Sequence, residues 1–297
     1  MCGIFGAIGN HINIPTLRVL AVLNQERGSS ACGFYNSESE YFKDSVSAQK
    51  ILRTTELRDW FIHCMKQRSW AICGHTRAPS RGANTAENAH PFRFPCKEEG
   101  HAVVGAHNGH CTAPQEHAVD SMYLFDLLSK APAGDYQAAL GEVAGWYAIS
   151  WRDTRNENVY LLNWRGDIAF NKIGSTHYFS SNHDHLHTAT SHAAHVKLAH
   201  GDVYRFGKDG SVEKMPDFKG KVWEQAKTQW QQGTSYYSGN TQANITTRTS
   251  IKDDDALPID ADGFWHRVEH KDGIWVECHD GAWRHILDED VKKAIAK

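Results

Sequence analysis

Apolar positions begin at the third residue, and their spacing divides the chain into strands and helices. Gly3 to Gly9 are apolar and dotted with glycine, which predicts a short buried strand turning at Gly9-Asn10. Pro15 then opens a helical pattern in which Leu17, Leu20, Val22 and Leu23 form a broad apolar face ending before Arg27-Gly28. Residues 27–33, RGSSACG, read as a polar turn into Phe34-Tyr35, followed by a strand over 40–46 and a helix over 55–67. Residues 70–77 read as a buried strand that ends in His75, Thr76 and Arg77. A glycine-containing loop over 78–88 then leads to Ala89-His90-Pro91-Phe92. The next strand, 101–106, runs into His107-Asn108-Gly109-His110. Beyond it Asp120-Ser121 can cap a helix carrying Met122, Leu124, Phe125, Leu127 and Leu128.

From residue 143 to about 206 the pattern changes to short β-type runs at 145–151, 159–163, 168–170, 176–180 and 202–206, separated by Asp, Asn and Gly turns. These read as a second sheet. Two sheets with helices outside give a layered α+β architecture in which the strand bearing Cys2 opens between the sheets. Residues 216–230 read as a helix and 231–263, rich in Gln, Ser, Thr, Asn and Asp, as a polar linker. The last stretch repeats Asp272-Gly273-Ile274-Trp275 as Asp280-Gly281-Ala282-Trp283, which predicts a hairpin carrying Trp265, Trp275 and Trp283. Such a hairpin is marginal alone. It serves either as a clamp on the main domain or as a tail that binds a partner or ligand.

A chain of 297 residues can bury a full core, and a net charge of -3 argues against duplex DNA or an acidic membrane as an electrostatic partner. No apolar run approaches the roughly 20 residues that span a bilayer, and no basic-then-apolar leader opens the sequence. A cytoplasmic protein is expected. Seven cysteines form no C-x-x-C pair, and their odd number fits buried thiols better than a disulfide framework. His183, His185 and His187 alternate, with His192 and His195 close by. On a strand the first three would share a face that zinc could use, but no companion cysteine or carboxylate spacing sharpens that reading.

Cys2 is the residue with the most chemistry. Removal of Met1 is expected because the next side chain is small, and it leaves one residue carrying both a thiol and an α-amine. A thiol with a pKa near ~8.5 needs help to ionise, and an amine near ~7.7–8.0 is matched to take its proton. The amine would act through a bound water, since a five-membered contact within one residue is poorly aligned. Arg77 offers a planar fork for a carboxylate. Asn108 with the Gly109 N–H makes a natural donor pair for a developing oxyanion. Each has a plain alternative: a small apolar residue at Cys2, a surface charge at Arg77, a type I′ hairpin turn at Asn-Gly. Asp120 could be a helix cap, a ligand for an ammonium group, or both.

In order along the chain, MCGIFG, RGSSACG, GHTRAPSRG, NAHPF, GAHNGH and DSMYLFDLL resemble the motifs of the class II glutamine amidotransferases of the N-terminal nucleophile hydrolase superfamily. The similarity covers about residues 2 to 210. It implies a four-layer αββα sandwich, with an amidotransferase domain over 2–215, a helix and polar linker over 216–263 and a small Trp-rich module over 264–297. It further implies that Cys2 attacks the side-chain amide of L-glutamine, that Asn108 and Gly109 form the oxyanion hole, and that Arg77 and Asp120 hold the α-carboxylate and α-amine. His75 and Thr76 would shape the pocket, and Arg27 would sit beside the nucleophile. No cofactor or metal is implied. Ser30 stands where the family has an acid, Ser80 replaces a threonine and is followed by Arg81, and the spacer from Asn108 to Asp120 is short. No acceptor domain follows residue 210, so the ammonia is expected to pass to a separate synthase. A γ-glutamyl amide hydrolase without ammonia transfer and a catalytically silent scaffold are the alternatives.

Overall fold

The computed structural model describes residues 2–192 and 194–222, together with the backbone of three strands near the C-terminus. The chain begins with β1 (Gly3–Gly9), α1 (Ile14–Asn24), a 3-10 turn (Gln25–Arg27), β2 (Ala31–Asn36) and β3 (Tyr41–Asp44). Next come α2 (Ala48–Ile51), α3 (Thr55–Lys66), β4 (Ala71–Arg77), β5 (Phe92–Pro95), β6 (Ala102–Cys111), α4 (Asp120–Lys130) and α5 (Tyr136–Leu140). The second half adds β7 (Gly145–Asp153), β8 (Asn158–Trp164), β9 (Ala169–Ile173), β10 (Thr176–Ser180), α6 (His183–Thr190), β11 (Val196–Lys197), β12 (Val203–Gly207) and β13 (Val212–Lys214). The strands β14 (Trp265–His270), β15 (Ile274–Cys278) and β16 (Trp283–His285) form a small antiparallel sheet of their own.

One large sheet has the order β11-β9-β10-β1-β4-β2-β3 and the other β13-β12-β8-β7-β6-β5. Strand alternation sorts their side chains into three apolar layers. Phe5 and Ala7 of β1 face α1 with Leu17 and Leu20, whereas Ile4 and Ile8 face the space between the sheets with Val104, Ala106 and Ala148. On the far side Phe125 and Leu128 of α4 cover Val103, Ile149 and Trp151. Helices, sheet, sheet, helices: the molecule is an α+β sandwich of the αββα type. Local signals explain the helix starts. The Asn13 side chain accepts from Thr16 N at 2.9 Å with Pro15 in the first turn, and Thr54 accepts from Leu57 N.

Several elements depart from the sequence expectation. Residues 31–33, expected within a turn, are strand; they are small because neighbours crowd them, and a Cβ on Gly33 would lie 2.2 Å from the His90 carbonyl oxygen. The strand expected over 101–106 continues to Cys111, so Asn108 and Gly109 lie inside β6, paired with Ala148 and Tyr147, and the alternative of a turn there does not hold. The runs read as one second sheet divide instead: β9 and β10 return to the first sheet, with β10 beside β1. Tyr178 and Phe179 of β10 bury on opposite faces, as a strand in the centre of a sandwich must. Residues 216–222 are extended rather than helical, because Phe218 inserts against Tyr136, Tyr147 and Trp164 and Lys221 bridges to Ala144. The rest of that expected helix and the 231–263 linker lie outside the described residues. The C-terminal hairpin is a three-stranded meander, since β15 pairs on both sides.

At the end of β4 two backbones touch: a Cβ on Gly28 would lie 2.3 Å from Arg77 C and Ala78 N. Gly28→Ala should therefore cost about 1–3 kcal/mol of stability by overpacking. Urea unfolding checks this, and an unchanged midpoint would show that the two segments move apart freely.

Candidate active site

Cys2 stands immediately before β1, on the alternation that points Ile4 and Ile8 between the sheets. Its carbonyl accepts the Arg27 Nε–H at 2.9 Å. The Ala78 N–H donates to Sγ at 3.4 Å, and the thiol reaches the Ala78 carbonyl at 3.5 Å. Ser30 N–H donates to the Arg77 carbonyl at 3.0 Å, so the RGSS segment is fastened beneath the end of β4. Burial pushes the Cys2 thiol up, against the Ala78 hydrogen bond and the Arg77 charge, which pull it down.

A pocket brings Cys2 together with Arg77, Gly109 and Asp120. Arg77 is 3% exposed. Its Nη1 and Nη2 donate to the carbonyls of Ala83 (2.9 Å) and Arg81 (2.8 Å), which shapes the 78–88 loop. Asp120 opens α4 but is not its cap; Val119 holds that position without a side-chain bond. Its two oxygens accept from Cys111 N at 3.2 Å and Ser121 N at 3.0 Å, fixing a carboxylate on the pocket wall. Gly109, at φ 145°, lets β6 come close: a Cβ there would meet the Trp146 carbonyl oxygen at 2.2 Å.

Four expected site residues, Asn108, Thr76, Arg27 and His75, are not among the residues that line this pocket, although each adjoins one that does. Asn108 is buried on β6, on the face where Val104 and Ala106 meet the other sheet. Thr76 faces the opposite way from His75 and Arg77 and donates to the Asn24 carbonyl at 2.7 Å. A Cβ on Gly3 would lie 2.6 Å from the Thr76 hydroxyl oxygen, so Thr76 supports β1 from behind. Arg27 holds the Cys2 backbone, and His75 reaches across to the facing sheet, where its Nε2–H donates to the His107 carbonyl at 3.1 Å.

Ser80 and Arg81, the departures from the family's loop motif, line the pocket, whereas sequence reasoning missed His90 and His107 as wall residues. The His75 and His90 rings lie 3.9 Å apart and those of His90 and His107 6.4 Å. Burial lowers His75 to about 3 and His107 to about 4, and holds His90 well below the usual histidine range. All three are neutral at pH 7. The motifs NAHPF and GAHNGH contained two of them, but their separation along the chain hides the cluster. Arg81 ties two loops: its Nη2 donates to the His117 carbonyl at 3.0 Å and approaches that of Pro114 at 3.4 Å.

The alternating histidines lie on α6, not on a strand, so their shared face is lost. His185 pairs with Glu26 at 3.1 Å, and the His183 ring stacks near His195. Among the described residues no group of three or more His, Cys, Asp or Glu converges to hold a metal ion, and no helix is long and apolar enough to cross a membrane.

No protein-family model matches the chain. It is 32% identical over 112 residues to the glutamine–fructose-6-phosphate aminotransferase (isomerizing) of Chlamydia abortus, a match covering 37% of this chain and 17% of that protein. In structure it is similar to the glutamine phosphoribosylpyrophosphate amidotransferase of B. subtilis, with a TM-score of 0.55 at 16% identity over 72% of this chain and 49% of that one. A structure described as the allosteric regulatory enzyme of purine biosynthesis gives a TM-score of 0.57 at 16% identity, covering 73% and 50%. The chain thus spans about half the length of these solved structures. Both comparisons lead to the class II glutamine amidotransferases, whose N-terminal nucleophile fold this chain has.

The buried histidines make stability depend on pH. Their folded pKa values lie below the unfolded value of about 6.5, so the unfolded chain binds more protons and stability falls as pH drops through 6.5. His75 and His107 should each remove roughly 2 kcal/mol between pH 7 and 5. Denaturant unfolding at the two pH values tests this; equal stabilities would mean that the histidines are not buried neutral.

Proposed function

We propose that this chain, with the fold of the class II glutamine amidotransferases, hydrolyses the side-chain amide of glutamine through a thioester on Cys2. The observation that carries the reading is the convergence of Cys2, Arg77, Asp120 and Gly109 on one pocket. The α-amine exposed by loss of Met1 takes the thiol proton through a water, and Sγ attacks the amide carbon. The Asn108 side chain and the Gly109 N–H stabilise the oxyanion. The amine returns the proton to the leaving nitrogen, ammonia departs, and water hydrolyses the thioester to glutamate. Arg77 holds the α-carboxylate and Asp120 the α-amine, while Arg27, His75 and Thr76 fix the strands that present these groups. The ammonia passes to a separate synthase.

One observation favours a second reading. Ser80 and Arg81 both line the pocket, so a second guanidinium is present beyond the one an α-carboxylate needs. A γ-glutamyl amide with a larger leaving group would use it. Turnover of a panel of γ-glutamyl amides decides, and a clear preference for glutamine removes this alternative.

Intact mass after incubation with a glutamine-mimicking diazoketone should show loss of Met1 and a single adduct mapping to Cys2. Retained Met1, or no adduct, would sink the glutaminase reading. Asn108→Ala should lower kcat on the order of 10²–10³, and a loss below tenfold would take Asn108 out of the oxyanion hole. Arg77→Lys should raise KM far more than it lowers kcat, because a point charge replaces a fork; an unchanged KM would refute that contact.

A further inference from the structure

The two sheets supply different halves of the proposed reaction. Cys2 and Arg77 stand at the ends of β1 and β4 of one sheet, whereas Asn108 and Gly109 lie on β6 of the other. An oxyanion donor works only within about 2.7–3.1 Å of the developing charge. The spacing of the sheets at that end must therefore be fixed to a fraction of an ångström, which non-directional apolar packing does not do.

Among the described residues, side-chain hydrogen bonds cross between the sheets either from strand to strand or through a residue flanking a strand; one of the latter runs from Lys43 Nζ on β3 to the Pro91 carbonyl before β5 at 3.2 Å. Tyr35 donates to Ser150 Oγ at 3.0 Å, Arg152 Nε–H to the Ser37 carbonyl at 2.8 Å, and His75 Nε2–H to the His107 carbonyl at 3.1 Å. Tyr35 pairs with Cys73, four residues before Arg77 on β4, and Ser37 lies farther still. Lys43 crosses at the level of His75 but from the outer strand β3, through Gly33, and to the lead-in of β5; of these bonds only that of His75, which pairs with Ile4 of β1, reaches the strand that carries Asn108 and Gly109.

We propose that His75 is a positioning residue: by holding the His107 carbonyl, it sets where the Asn108 amide and the Gly109 N–H stand relative to Cys2 Sγ. The inference rests on the glutaminase reading. The peptide between His107 and Asn108 is planar, so the carbonyl and the Asn108 Cα move as one body. The imidazole is itself held, between β1 and β2 by its backbone and against His90 by its ring. Because a carbonyl only accepts, the bond selects the Nε2–H tautomer, and Nδ1 has no partner among the described residues that would pull the ring elsewhere. Burial keeps the ring neutral through the neutral pH range, and Nε2 is the nitrogen that carries its one proton there. Gly33 completes the device: a Cβ there would strike the His90 carbonyl oxygen and push the stacked histidine off.

Two isosteres separate positioning from bulk. The amide nitrogen of Gln can reach the place of Nε2, whereas that of Asn reaches only the place of Nδ1. His75→Asn should lower kcat for glutamine about 10- to 100-fold with KM within about twofold, since the misplaced donors matter in the transition state and not for substrate binding. His75→Gln should recover most of the loss. In ¹H–¹⁵N spectra of the full chain the Gly109 amide signal should move in His75→Asn and return toward the parent position in His75→Gln. Should the Asn variant not fold, His75→Met, of similar length without a donor, takes its place. Equal losses in the Gln and donorless variants, a loss confined to KM, or an unmoved Gly109 signal would overturn the proposal. A parent chain that neither turns over glutamine nor labels at Cys2 would instead refute the glutaminase reading, and the Gly109 signal would still decide whether His75 positions β6.

Discussion

The pocket depends on a contact with no side chains in it: the backbone at Gly28 lies against the Arg77–Ala78 peptide. That contact lets Ser30 N–H reach the Arg77 carbonyl and brings Ala78 N–H under the Cys2 sulfur. Gly3 repeats the device one strand over, against Thr76 and Asn24. Glycine is required at both places because any Cβ would occupy the space of another backbone or of a buried hydroxyl. Cys2 is therefore placed by close backbone approach, and its sulfur in turn meets the N–H and the carbonyl of Ala78.

Electrostatics within this frame follow from burial. Three charged residues line the pocket, Arg77, Arg81 and Asp120, and each has partners of its own: the two guanidinium groups loop carbonyls, the carboxylate two backbone N–H groups. Buried charges without such partners would cost several kcal/mol each. The histidines take the other solution and stay neutral. The thiol is likewise pushed toward its protonated form, and the reaction proposed above therefore requires a base at the moment of attack, the part it gives to the α-amine.

How much of this was legible in the sequence depended on whether the signal was local. The strand Gly3–Gly9 and the helix after Pro15 are set by their own residues and appear as the periodicity predicts. The assignment of β9 and β10 to the first sheet is set by pairing across more than 160 residues, which alternation does not encode. Small residues misled at 31–33, and at Asn108-Gly109 they left a turn open as the alternative: close packing and turns both ask for glycine, and only the neighbours tell them apart. The same limit hid His90 and His107, each unremarkable in its own stretch and meaningful only beside His75. Thr76 shows the opposite case. It sits in the most recognisable motif, yet alternation turns it from the pocket toward Asn24.

A sandwich that divides its chemistry between two sheets has a particular vulnerability. Within a sheet, spacing is fixed by the ladder of backbone hydrogen bonds, so Cys2 and Arg77 are held to each other through the pairing of β1 with β4. Between sheets, spacing follows from side-chain volumes summed across a layer, and each substitution there can shift it. The inter-sheet layer at the pocket end is built from Ile4, Ala106 and Ala148, small or branched groups with little freedom to repack. Beside them stands a polar crossing from His75 to His107. An apolar layer with one directional bond at its edge can be close-packed and still hold a fixed distance, and for a site assembled from both sheets that combination is what its geometry requires.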